Sequence, residues 1–292
     1  MRLSSAALLL VPGLLQADES TFALNLRSRT ESDGKFTVVE KPQKWPAAKT
    51  AVIVCDMWDA HHCLNAVRRE EEMVPRMNEF LTKARDGGAF IIHAPSSCMD
   101  AYKDHPARKR AQAAPKAANL PKDIGDWCKQ IPAEEKGKYP IDQSDGGEDD
   151  DPAEHEEWHA KLKAMGRNPK APWKSQHAGL TIKDQDAISD SGVEVWNMLE
   201  ERRINNVMLL GVHTNMCVLG RPFGLRQMAK NGKNVVLVRD LTDTMYNPKR
   251  WPYVSHFEGT RLIVEHIEKY VCPTITSDQL LGGTEFRFKG DQ

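Results

Sequence analysis

Gly211-Val212-His213-Thr214-Asn215-Met216-Cys217-Val218 sets one cysteine just past the apolar run Met208-Leu209-Leu210-Gly211-Val212. A short apolar run without alternation reads as a strand buried on both faces of a parallel sheet. The residues that follow predict a helix whose regular part begins near Leu219 to Arg221, because Pro222 is tolerated only in a first turn. A thiol between a strand end and a helix N-terminus is expected to have a lowered pKa and a nucleophilic thiolate. The same segment is equally compatible with a packed free cysteine, among the most buried residue types.

Two other strand ends bear on the choice. Ala51-Val52-Ile53-Val54-Cys55 is a second apolar run, ended by Asp56, and a third short run, Leu180-Thr181-Ile182, leads to Lys183. In an open parallel sheet, reactive side chains collect beyond the carboxyl ends of the strands. The three ends therefore offer a carboxylate, an ammonium and a thiol to one crevice. Lys183 would favour the Cys217 thiolate, while Asp56 could take the thiol proton and return it to a leaving group. Taken alone, Lys183 reads as a solvated surface lysine.

With these residues in place, the chain resembles the isochorismatase-like cysteine hydrolases, which include nicotinamidases, N-carbamoylsarcosine amidohydrolases and ureidoacrylate hydrolases. The resemblance is carried by Val52-Ile53-Val54-Cys55-Asp56, by Lys183 ahead of a helix, by the 211–218 segment, and by Val235-Val236-Leu237-Val238-Arg239-Asp240. It covers most of residues 49–277 apart from one long insertion. It implies a catalytic Asp–Lys–Cys triad at Asp56, Lys183 and Cys217, and a cis peptide between Val212 and His213. It also implies oxyanion contacts from the backbone N–H groups of His213 and Cys217. The chain departs from the family in two places. The usual Asp-x-Gln is Asp56-Met57-Trp58, and the Asp-x-His metal element that nicotinamidases carry after strand two is replaced by Ser96-Ser97-Cys98-Met99-Asp100.

Composition narrows the remaining choices. With 40 basic and 41 acidic residues among 292, the chain has no field for nucleic acid or an acidic membrane. No apolar run approaches the roughly 20 residues that span a bilayer. Arg2, the apolar stretch from Leu3 to Leu15 and the small residue Ala17 predict a secretory signal peptide over 1–17, and hence export to the periplasm or the extracellular space. Pro12-Gly13 opposes the competing reading of a regular N-terminal element. The six cysteines are too sparse for a disulfide scaffold and lack paired metal spacing; Cys63 and Cys98, each just after a strand, could approach one another.

Strand and helix patterns alternate along the chain. Residues 18–48 read as an N-terminal extension with a hairpin around Ser32-Asp33-Gly34. A hydrolase domain over 49–278 follows, with an insertion at about 96–178 and a C-terminal tail at 279–292. Strands are expected at 51–56, 89–93, 180–182, 206–212, 234–239 and 271–276, and helices at about 70–86, 192–203 and 257–270. Such alternation predicts an α/β fold of three α-β-α layers around a mainly parallel central sheet.

The insertion is polar and too long for an ordinary connection, so it is expected to form a lid or a subunit interface of a homo-oligomer. Its acidic run from Asp142 to Asp151 reads as a solvated loop. His155-Glu156-Glu157-Trp158-His159 matches the zinc-peptidase pattern H-E-x-x-H, but the helix around it reads as solvent-facing. Asp59, His61, His62 and His93 form another candidate donor set for a divalent metal. Trp58, His61, His62, Trp173 and Tyr246 are candidate pocket residues. The expected activity is hydrolysis of a carbon–nitrogen bond in a small amide, carbamoyl or ureido compound, through a thioester on Cys217 and without a required cofactor. Isochorismate hydrolysis fits less well, because a vinyl ether needs no thiol nucleophile. The alternatives are a zinc peptidase using His155, Glu156 and His159, and a non-catalytic small-molecule-binding protein on the same fold.

Overall fold

The computed structural model describes residues 20–291, so the signal peptide expected at 1–17 lies outside the described residues. Eight strands form one sheet: β1 (Thr21–Ser32), β2 (Lys35–Pro46), β3 (Thr50–Cys55), β4 (Phe90–Ala94), β5 (Ala187–Ile188), β6 (Asn206–Val212), β7 (Asn234–Asp243) and β8 (Thr274–Ile275). Their spatial order is β2-β1-β8-β7-β6-β3-β4-β5. The strands from β8 to β5 run parallel, and the β1–β2 hairpin joins antiparallel through β8. The helices are α1 (Leu64–Gly87), α2 (Pro106–Ala113), α3 (Pro152–Ala164), α4 (Gly192–Glu201), α5 (Leu225–Lys230), α6 (His256–Tyr270) and α7 (Asp278–Leu281). Among the described residues no helix is long and apolar enough to cross a membrane.

The unbroken apolar strands divide by parity into two cores, because successive side chains leave opposite faces of a strand. Ala51, Ile53 and Cys55 of β3, with Val207 and Leu209 of β6, pack against α4, α5 and α6. Val52 and Val54, with Met208, Leu210 and Val212, pack against α1 through Met73, Met77, Phe80, Leu81 and Ala84. The C-terminal segment, expected as a tail, adds Leu280 and Phe288 to this second core. α1 ends where Gly88, at φ 105°, supplies a left-handed cap.

The carboxyl ends of β3, β6 and β7 converge at Gly211. The pairing of β6 with β7 slips between Leu209 and Gly211, and Gly211 sits at φ 106° with Cys55 O only 2.1 Å from where a Cβ would be. Glycine alone allows this close approach of backbones. It brings the chain after β6 directly beside the chain after β3.

The third parallel strand is not where the apolar trio places it. Leu180-Thr181-Ile182 is irregular, and β5 forms five residues later at Ala187–Ile188. Asn78 of α1 takes the backbone groups of the earlier segment, donating to Gly179 O and accepting from Thr181 N–H. The helix expected to begin near Leu219 to Arg221 is interrupted: a wide helical turn over Thr214–Val218 runs on through Leu219 and Gly220, the chain then breaks, and α5 starts at Leu225.

Candidate functional site

Asp56 turns out of β3 in a left-handed conformation (φ 47°), with its N–H on Ala94 O at 3.1 Å. Its buried carboxylate is held at both oxygens: Oδ1 accepts from Ser96 N–H at 2.8 Å, and Oδ2 from Arg221 Nε at 2.9 Å. The Cys217 thiol lies beside this carboxylate, with the backbone N–H of His213 nearby. Cys217 is 8% exposed and lies on a wide turn, Thr214–Val218, closed by the N–H groups of Met216 and Val218 on His213 O at 3.0 and 3.1 Å. The peptide between Val212 and His213 is cis.

The electrostatics differ from the expectation of a resting thiolate. Burial and the Asp56 charge push the Cys217 thiol up, with Arg221 pulling the other way. Burial also raises Asp56, while Arg221 and the hydrogen bonds from Cys217 and Ser96 favour its charged form. In the resting state the proton therefore stays on sulfur, next to a base fixed in position. Iodoacetamide labelling of Cys217 in the free protein is expected to have its pH midpoint above the roughly 8.5 of a free thiol. Asp56→Asn should lower that midpoint by removing the adjacent charge. A wild-type midpoint below about 7 would instead show a resting thiolate.

Lys183 is not at this site. It precedes β5 on a stretch that descends the outside of α1, between the contacts of Asn78 with Thr181 and of Arg85 with Asp186. Its backbone N–H caps on Asp186 Oδ2 at 2.8 Å, and its side chain is exposed. The correction follows from the misplaced strand: Lys183 sits at the entrance to β5, not beyond its carboxyl end. Arg221 supplies the cation on Asp56 instead. Its N–H bonds Cys217 O at 3.0 Å, so residues 217 and 221 sit one helical turn apart on the same side. That spacing is the one signal in the linear sequence that could have found it.

The insertion walls the site. Trp127 covers the Arg221 guanidinium, with 4.7 Å to the ring centre, and Cys128 N–H bonds Gly220 O at 2.9 Å. Gln143 accepts from Asn215 Nδ2 at 2.7 Å, and Asn215 also grips Met245 through both its main-chain groups. Trp173 stacks on Trp58 at 4.4 Å, and Trp58 Nε1 donates to Ser96 O at 3.0 Å. His61 lies 6.1 Å from Trp173 and 4.8 Å from the His213 ring, and burial keeps His213 down at about 3. Tyr246 is a packing residue whose hydroxyl bonds Arg250 O at 2.8 Å.

The proposed metal donors Asp59, His61, His62 and His93 do not converge. Asp59 accepts from Arg167, Lys174 and Ser175, which fastens the insertion to the chain after β3. His93 is a satisfied core histidine between Gln176 at 3.0 Å and Asp186 at 3.2 Å. His62 faces away from the thiol, toward Glu148. On α3, His155 and His159 turn inward while Glu156 is exposed, so the base of a zinc peptidase would point into solvent.

The acidic run is docked at its far end, where Asp149 and Asp150 have buried side chains, while Asp145 and Asp151 stay exposed. Asp150 caps α1 by accepting from Leu64 N–H at 2.8 Å and Asn65 N–H at 2.7 Å. Asp149 joins a buried network in which Arg69 bonds both Asp149 (2.9 Å) and Asp243 (2.8 Å), and His256 bonds the same two carboxylates at 3.1 and 2.8 Å. Asp243 O in turn accepts from Thr214 Oγ1 at 2.8 Å, at the start of the Cys217 turn. Cys63 donates to Asp149 and Asp150, and Cys63 and Cys98 are both free thiols.

No protein-family profile matches the chain, and no curated protein matches it. Solved structures that resemble it include a cysteine hydrolase from Pseudomonas syringae pv. phaseolicola 1448A (TM-score 0.46, 14% identity, covering 80% of this chain and 92% of that one). An isochorismatase family protein from Burkholderia thailandensis has a TM-score of 0.44 at 15% identity, over 80% and 93% of the two chains. N-carbamoylsarcosine amidase from Thermoplasma acidophilum has a TM-score of 0.42 at 12% identity, over 83% and 99%. At these distances the likeness assigns neither an activity nor a site residue to this chain.

Proposed function

We propose that the chain is a cysteine-dependent hydrolase of a carbon–nitrogen bond in a small amide, carbamoyl or ureido compound. The observation that supports it best is the buried thiol of Cys217 beside a carboxylate that Ser96 N–H and Arg221 hold in one orientation. A satisfied core cysteine has no use for such an arrangement, whereas thiol acylation needs it. Cys217 Sγ attacks the carbonyl carbon as its proton passes to Asp56. The oxyanion is met by the N–H groups of His213 and Cys217. As the C–N bond breaks, Asp56 returns the proton to the departing nitrogen. It then takes a proton from water, whose oxygen attacks the thioester, and passes that proton to the departing sulfur, which restores the thiol and the carboxylate.

In this scheme Arg221 holds Asp56 in its reactive orientation and is the cation of the site, where Lys183 was expected to favour the Cys217 thiolate. With a panel of small amides, carbamates and ureides, Arg221→Ala is expected to lower kcat/KM by about 100-fold or more, because a misplaced base costs that much. Lys183→Ala should change it by less than about twofold, as for a solvated surface lysine. The reverse pattern would return the lysine to the reaction and remove the arginine. Acid-quenched reactions should carry the acyl mass on the peptide containing Cys217. Turnover with that mass on no cysteine would sink the thioester route.

A further inference from the structure

The H-E-x-x-H helix and the acidic run are both unused by the hydrolase reading, and they meet on one side of the chain after β3. His155 Nδ1 lies 2.8 Å from Glu148 Oε1 and 3.1 Å from Asp150 Oδ2, and these three donor atoms are all within 4.8 Å of one another. His62 Nε2 approaches the other Glu148 oxygen at 3.9 Å. We propose that Glu148, Asp150 and His155, with His62 as fourth donor, form a zinc-class site that clips the insertion to the N-terminus of α1.

The geometry is close to what such an ion needs. Bonds of about 2.0–2.1 Å in a tetrahedron put neighbouring donors roughly 3.4 Å apart, so the two His155 contacts, at 2.8 and 3.1 Å, need open by about 0.6 and 0.3 Å. Asp150 is the fixed member, anchored by Leu64 and Asn65 N–H. Glu148 and His62 are each about one-third exposed, at 32% and 31%, and can swing to close the set. His159, whose ring is tilted at 50° to that of His155 with 3.8 Å between centres, limits how that imidazole can turn.

One further observation points to a ligand: charge is unbalanced at Glu148. Asp149 has Arg69 and His256, and Asp150 has the α1 N-terminus, whereas Glu148 faces only the imidazoles of His155 and His62 among the described residues. Mixed imidazole and carboxylate donors favour zinc and its neighbours over calcium, which takes oxygen.

The site does not involve Cys217, so it stands or falls apart from the proposed chemistry. It would stiffen the wall of the reactive crevice, because His61, next to His62, packs on His213. The full chain, stripped with chelator and dialysed, should bind one more equivalent of Zn2+ than Glu148→Gln or His155→Ala, by calorimetry and native mass spectrometry. Affinity at that site should fall at least about tenfold in either variant. Glu156→Gln and Cys217→Ser should bind as the wild type does. Zn2+ should raise the melting temperature of the wild type, and Ca2+ should not. Glu148→Gln, altered at a partly exposed side chain, should melt with the wild type in chelator, which separates ligand loss from misfolding. Equal Zn2+ binding by the wild type, Glu148→Gln and His155→Ala would overturn the proposal. Loss of the ion in Cys217→Ser or Glu156→Gln, or an equal response to Ca2+, would overturn it too.

Discussion

Cys217→Ser is expected to reduce kcat by at least about 10⁴-fold, as removal of a nucleophile does. The hydroxyl has nearly the same volume, so the fold should be unaffected. Its proton is far less acidic than a thiol's, and a carboxylate held by Arg221 and Ser96 N–H is too weak a base to take it. Asp56→Asn keeps the shape but not the basicity, and should cost about 10²–10⁴-fold. Because the two groups act on one proton, the double variant should be little worse than Cys217→Ser alone. Losses that instead multiply would mean that Asp56 and Cys217 serve separate steps. Turnover unchanged in both single variants would end the cysteine mechanism, and binding without turnover in the wild type would favour a ligand-binding protein on the same fold.

The residues of this pair were legible in the sequence because each ends a strand whose apolar character is unmistakable. Parity in 51–55 and 206–212 assigns each side chain to one of two cores, and that assignment holds residue by residue. Lys183 was misread for a physical reason. A two-residue strand has no periodicity, and Leu180-Thr181-Ile182 looks more strand-like than Ala187–Ile188. What decides between them is Asn78, a remote side chain that captures the backbone of the earlier segment. The acidic run misleads in the same way at Asp149 and Asp150: charges near in sequence suggest solvent, while Arg69, His256 and the α1 N-terminus, distant in sequence, bury these two. Arg221 was hidden by its neighbour Pro222, which draws attention to where a helix starts and away from the i, i+4 relation with Cys217.

Arg69→Met is expected to destabilise the fold by about 3–5 kcal/mol, the range for stripping one partner from a buried ion pair. Arg69, Asp149 and Asp243 have side chains 9%, 8% and 1% exposed, so water cannot replace the lost guanidinium. His256 alone would then face both carboxylates. The methionine fills similar volume, which keeps the effect electrostatic and not one of packing. The wild-type network also fixes a pH window. Against the pull of burial, Asp243 and Asp149 raise His256 to about 9, from an unfolded value near 6.5. Its contribution is therefore complete below about pH 6.5 and is lost as pH rises through 9. Burial is likewise outweighed at Asp149, which His256 and Arg69 hold at about 2, so its contribution is present above about pH 4 and lost as pH falls through 2. Urea unfolding across pH should show a stability plateau between these limits, with an alkaline limb that disappears in His256→Asn. A change within about 0.5 kcal/mol for Arg69→Met, the size of an ordinary surface substitution, would mean that the ion network is incidental. A large change should also reach the reaction, because Asp243 O carries Thr214 at the start of the Cys217 turn, and loosening it shifts the N–H of His213 relative to the sulfur.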